Sequence, residues 1–160
     1  MSLAPNHNVA QLNIGVLCHP IDDPRTAGFA QNTDAVNAVA ERSAGFIWRL
    51  VDEEAALHDE GISLFDGNPN AICTLSLWSS AEDLESFVLR TIHGSFLKRR
   101  AEWFIEQDHK TYVIWPVAAG QRPTIREGLD RLADLEASGA NEGAYDFNYL
   151  RQRLHRSDET

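Results

Sequence analysis

Along residues 9–17, Leu12, Ile14 and Val16 fall on one side of the chain and Gln11 and Asn13 on the other, the period of two of a half-buried strand. Asp23-Pro24 then marks a helix start, with Asp as N-cap and Pro at the first helical position, where its missing N–H is harmless. Phe29, Thr33, Val36, Ala40 and Ser43 recur at spacings of four and three, one face of a helix that runs to about Arg42 and stops at Gly45. Residues 46–51 read as a second apolar strand, with Trp48 and Arg49 facing opposite ways. An arginine in such a run needs solvent, a carboxylate or a carbonyl, and an edge strand supplies solvent. Residues 52–70 are acidic and turn-rich, with a short strand expected at 62–65.

Residues 72–78 form the next strand, in which Thr74, Ser76 and Trp78 alternate with Cys73, Leu75 and Leu77. Ser80 and Asp83 then open a long helix whose stripe is Leu84, Phe87, Val88, Ile92, Phe96 and Leu97. Residues 111–118 make a fourth strand, and Pro116, lacking a ladder donor, favours a sheet edge or a bulge. Thr124 and Glu127 form a capping box for a last helix carrying Ile125, Leu129, Leu132 and Leu135, ending near Gly139.

The predicted class is α+β: a ferredoxin-like β-α-β-β-α-β order, an antiparallel four-stranded sheet in the order 4-1-3-2, and an appended C-terminal helix. Residues 1–8 are expected to be a flexible N-terminal arm, 9–150 a single domain, and 151–160 a polar C-terminal tail. If Cys18 stands opposite Cys73, the same register sets Asn13 against Trp78 and gathers Gln11, Asn13, Thr74, Ser76 and Trp78 on one patch.

Composition narrows the partners. The 160 residues carry 24 acids against 14 Lys and Arg, a net charge of −10 that repels phosphate backbones and anionic membrane surfaces. Nucleic acid and membrane are therefore not expected as partners. No apolar run approaches the roughly 20 residues that span a bilayer, and no leader-like segment is evident, so a cytoplasmic protein is expected. Cys18 and Cys73 show neither zinc spacing nor a CxxC pair and read as small core residues, and no metal site is expected. Nothing has the spacing of a nucleophilic triad, a phosphate loop or a carboxylate pair.

Several short motifs stand together in one order: AQLNIG from Ala10, DDPR with Gly28-Phe29, Val36-Asn37-Ala38, GFIWRL from Gly45, LSLW ending at Trp78, RAEWF from Arg100 and AGQRPT from Ala119. In these the chain resembles a bacterial domain-of-unknown-function family, numbered 3291, over roughly residues 9–147. That family looks like a branch of the antibiotic-biosynthesis-monooxygenase-like superfamily, in which two ferredoxin-like subunits pair their sheets into a dimeric α/β barrel. The resemblance implies a homodimer and a site built from asparagine, tryptophan and histidine; Asn13, Trp78 and His93 match these as catalytic candidates. It also implies one of two chemistries, cofactor-free or haem-type.

Two functions follow as expectations. As an enzyme, the protein is a monooxygenase of a small aromatic or quinone-like metabolite, with Asn13 or the Trp78 indole polarising an oxygen and His93 moving a proton. Gln11, Trp48, Thr74 and Ser76 are expected to contact the substrate, together with Arg100, Trp103 and Tyr112. As a binding protein, it uses the same pocket with no reaction. His93 stands thirteen residues beyond Ser80, about 20 Å along a straight helix at roughly 1.5 Å per residue. Contact with Trp78 therefore requires a break between Arg90 and Ser95, with Gly94 the weak point.

Overall fold

In the computed structural model, which describes residues 7–92 and 102–158, four strands form one open antiparallel sheet. In chain order the elements are β1 (His7–Val16), α1 (Ala27–Glu41), β2 (Phe46–Arg49), α2 (Glu53–Glu60), β3 (Ala71–Trp78), α3 (Ala81–Ile92), β4 (Tyr112–Ala118), α4 (Ile125–Ser138) and α5 (Phe147–Asp158). The strands neighbour one another as β2-β3-β1-β4. Arg49 and Pro116 thus lie on the two edge strands. On β4 the backbone of Ile114 faces outward to exchange two hydrogen bonds with Tyr145, both 2.8 Å. Pro116, two residues on, lacks its donor on that same outer side, where no ladder partner is needed.

β1 pairs with β3 so that Val9 opposes Trp78, Gln11 opposes Ser76 and Asn13 opposes Thr74. The register set by a Cys18/Cys73 pairing is therefore corrected by four residues, and Cys73 opposes Ile14. Four is an even shift, so each side chain keeps its expected face and Gln11, Asn13, Thr74, Ser76 and Trp78 still share one side. β4 adds Tyr112 and Ile114 to that side, opposite Asn13 and Gln11.

Helices of the same chain lie on both sides of the sheet. On one side, Ala10, Leu12, Leu75, Leu77, Val113 and Trp115 pack with Ile125, Leu132 and Leu135 of α4 and with Leu57 of α2. Gly128 makes this contact close: a Cβ there would stand 2.7 Å from Leu12 and 2.9 Å from Trp115. On the other side, Val9, Trp78 and Ile114 pack with Ala40 of α1, Leu84 of α3 and Leu150 of α5. Trp48 lies on the α4 side of the sheet, whereas Trp78 and Ile114 lie on the α1 side. The cause is a bulge in β2: Phe46 opposes Trp78, Trp48 opposes Leu77, and Ile47 is the extra residue between them.

Two expectations for residues 52–70 change. The stretch 52–70 contains α2, whose N-cap Asp52 accepts from Ala55 N and whose C-cap is the left-handed Gly61. The strand expected at 62–65 is instead a 3-10 turn, Leu64–Gly67, with Phe65 and Asp66 in left-handed conformation. His7 and Asn8, assigned to a flexible arm, pair with Ala118 and Val117. Most of the expected polar tail is helical, since α5 runs to Asp158. Arg151 there reaches Glu85 of α3 at 3.5 Å and lies over the Phe147 ring. No helix among the described residues is long and apolar enough to cross a membrane.

Candidate functional site

A cavity of about 440 Å³ lies between the sheet and the helices α1 and α3. Phe29, Thr33, Val36 and Ala40, spaced four, three and four along α1, line it from one side. The helical stripe that reads as core from the sequence is thus the wall of a cavity, and only Phe29 and Ala40 of it are fully buried. The opposite wall is the sheet face carrying Gln11, Asn13, Thr74, Ser76, Trp78 and Tyr112. α3 contributes Phe87 and Val88, and Phe104 and Phe147 add two more rings. Phe104 lies directly on β1 because Gly15 has no side chain there; a Cβ would come within 2.8 Å of the ring.

One end of the cavity is aromatic. Trp78 is fully buried, stacks on Phe87 with centroids 4.9 Å apart, and meets the edge of Phe46 at 5.5 Å. Its indole N–H donates to Ser76 Oγ at 3.0 Å, so its single donor is already engaged and is not free to polarise a substrate oxygen, the role expected of it.

The rest of the sheet wall is polar. Asn13 Nδ2 donates to Thr74 Oγ1 at 3.3 Å. Gln11 is 8 % exposed, and no protein group among the described residues hydrogen-bonds its amide. The Tyr112 hydroxyl accepts from Phe147 N at 3.1 Å, its ring stacks on Phe147, and burial holds the phenol above its ordinary pKa. Of the sequence candidates, Gln11, Asn13, Thr74, Ser76, Trp78 and Tyr112 thus meet at one cavity.

Trp48 and Trp103 do not. Trp48 is on the far side of the sheet with the Arg122 guanidinium 5.4 Å above its ring. Trp103 is buried with Leu17 and Phe29, edge-on to the Phe29 ring at 5.7 Å. His93, Arg100 and the helix break proposed near Gly94 lie outside the described residues.

Two charged residues that the sequence did not assign to the site also line the cavity. Arg49 points to this face opposite Ser76, with its Nε 3.5 Å from Glu41. Glu53, at the start of α2, has its carboxyl pKa raised by burial, against the opposing pull of Arg49. The alternation in β2 placed Arg49 opposite Trp48 and so carried this signal; Glu53 was hidden because its helix went unread.

Haem requires an axial ligand. Among the described residues the lining holds no histidine; the Cys73 thiol, pushed up to about 12 by burial, is held protonated, and so is the Tyr112 phenol, which burial raises and which already accepts from Phe147 N. The described lining therefore does not fit haem. No cluster of His, Cys, Asp and Glu suited to a metal ion occurs among the described residues.

The chain belongs to the family described as "Domain of unknown function (DUF3291)", whose model matches residues 8–159. Among solved structures it is similar to the crystal structure of a protein of unknown function from Nitrosomonas europaea. The identity is 11 % and the TM-score 0.47, over 74 % of this chain and 97 % of that one. No curated protein matches the chain.

Proposed function

We propose that this member of the DUF3291 family binds a small, planar, aromatic or quinone-like molecule in the cavity between its sheet and helices α1 and α3. The observation that carries this is the division of one cavity into an aromatic end, formed by Phe46, Trp78 and Phe87, and a polar wall, formed by Gln11, Asn13, Thr74 and Ser76. The volume of about 440 Å³ suits a two- or three-ring molecule, within the roughly 300–1,000 Å³ of small-molecule sites. We read the fold as ferredoxin-like with α2 inserted between β2 and β3, in keeping with the resemblance to the monooxygenase-like superfamily. α2 and α4 lie on the sheet face that a barrel-type dimer would bring together. The binding unit in this reading is therefore one chain, and a homodimer would pair through other surfaces.

A second reading, cofactor-free monooxygenation, is favoured by the amides of Gln11 and Asn13 lying two residues apart on the same wall. Such groups can stabilise a phenolate-like oxygen while dioxygen oxidises the ring, one oxygen atom entering the product and the other leaving as water. The test is calorimetric titration with 2,3-dimethyl-1,4-naphthoquinone. Wild type should bind it, and Val36→Trp, which fills the cavity from α1, should weaken binding by about tenfold or more. Equal affinity in a folded Val36→Trp variant would remove the cavity from the account. Oxygen uptake with a polyhydroxylated naphthalene, lost in the same variant, would support the enzyme reading.

A further inference from the structure

Arg49 ends β2, an edge strand, where it stands opposite Ser76 and so beside the polar wall of the cavity. It supplies the sole positive charge of the described lining, and Glu53 the sole negative one. The protein serves this guanidinium only in part. Its Nε is buried and donates to no protein group among the described residues, while Nη1 reaches Leu50 O at 3.4 Å. Glu41 stands 3.5 Å from Nε without accepting a hydrogen bond from it, and its side chain is 50 % exposed. Glu53 attracts the guanidinium from beyond salt-bridge distance. A buried charged donor with no acceptor is costly, and native structures rarely keep one without a use.

The chemistry of Arg49 defines what would pair with it. A neutral carbonyl offers one uncharged acceptor. A carboxylate is planar, carries the opposite charge and can take two parallel hydrogen bonds, from Nε and a terminal nitrogen. The two nearby acids compete weakly for that place. Glu41 is not part of the lining and faces solvent, where water screens its charge. Glu53 is in the lining, but burial already disfavours its ionised form. The aromatic end is within reach of the same ligand: Trp78 follows Ser76 by two residues on one face, about 7 Å along the strand at roughly 3.4 Å per residue.

Resting on the cavity-binding reading above, we infer that the natural ligand is an aromatic carboxylic acid, bound as its carboxylate by Arg49, with its ring extending toward Phe46, Trp78 and Phe87. Arg49 is then the residue that determines specificity, by setting an acid above neutral molecules of the same shape.

The probes are 2-naphthoic acid, the isosteric 2-naphthamide, 2-naphthylmethylamine, naphthalene and 2,3-dimethyl-1,4-naphthoquinone, each titrated calorimetrically into the full chain at neutral pH. Wild type should bind the acid about tenfold or more tightly than the amide, the gain expected of a charge-assisted pair. In Arg49→Met that preference should fall to about twofold or less while naphthalene binding persists, and in Glu53→Gln it should be kept or grow. Equal or weaker binding of the acid than of the amide by wild type, tighter binding of the amine, undiminished preference in Arg49→Met, or its loss in Glu53→Gln would overturn the inference while leaving the cavity reading intact. Failure of all five probes to bind wild type would overturn both.

Discussion

Asn13 stands directly opposite Thr74 and donates to its hydroxyl at 3.3 Å across neighbouring strands. This pair fixes which side chains share the cavity wall, because each step of two along β1 brings another residue to the same face. Asn13→Ala and Thr74→Val, alone and combined, should give a coupling of about 0.5–1 kcal/mol in a denaturation double-mutant cycle. Additive effects would show that the bond contributes nothing to the register.

Gly128 is the closest point between α4 and the sheet, with Leu12 and Trp115 inside the space a Cβ would need. In an exposed helix, Gly→Ala stabilises by about 1 kcal/mol. Here Gly128→Ala should destabilise by about 1–2 kcal/mol, because overpacking outweighs helix propensity. A higher melting temperature for the variant would contradict the packing described.

Glu53 gives a pH dependence with a definite sign. Burial raises its carboxyl pKa in the folded state, so its contribution is most favourable below the unfolded carboxyl range and is lost as pH rises through the folded pKa. Glu53→Gln should therefore gain stability relative to wild type at neutral pH, with the difference vanishing at more acid pH. Urea melts of both proteins across that range would reveal the opposite trend if Arg49, and not burial, governs the carboxyl.

The strands and the helices with a clear apolar stripe were legible in the sequence, because alternation and threefold-to-fourfold spacing record which face is covered. α2 was not: Ala55, Ala56 and Leu57 are consecutive and form no stripe, and only the cap residues Asp52 and Gly61 announce it. The register was misread by four residues because nothing local ties Cys18 to Cys73, yet the even shift left the wall intact. On α1, periodicity marks Thr33 and Val36 as inward-facing whether they meet packed atoms or a cavity. The bulge that sends Trp48 to the far side needs one extra residue, Ile47, and leaves no signature in the pattern. Only β1, β3 and β4 together make Gln11 central, so its unpaired amide became evident from the sheet order and not from the strand alone.

The most direct test of a binding cavity is a nitrogen-15 correlation spectrum of the labelled protein titrated with 2,3-dimethyl-1,4-naphthoquinone. The side-chain amide signals of Gln11 and Asn13 and the indole signal of Trp78 should shift together and saturate, while those of Trp48 and Trp115, on the opposite side of the sheet, stay in place. Shifts confined to Trp48 and Trp115, or no saturable shift at Gln11, Asn13 and Trp78, would contradict the account.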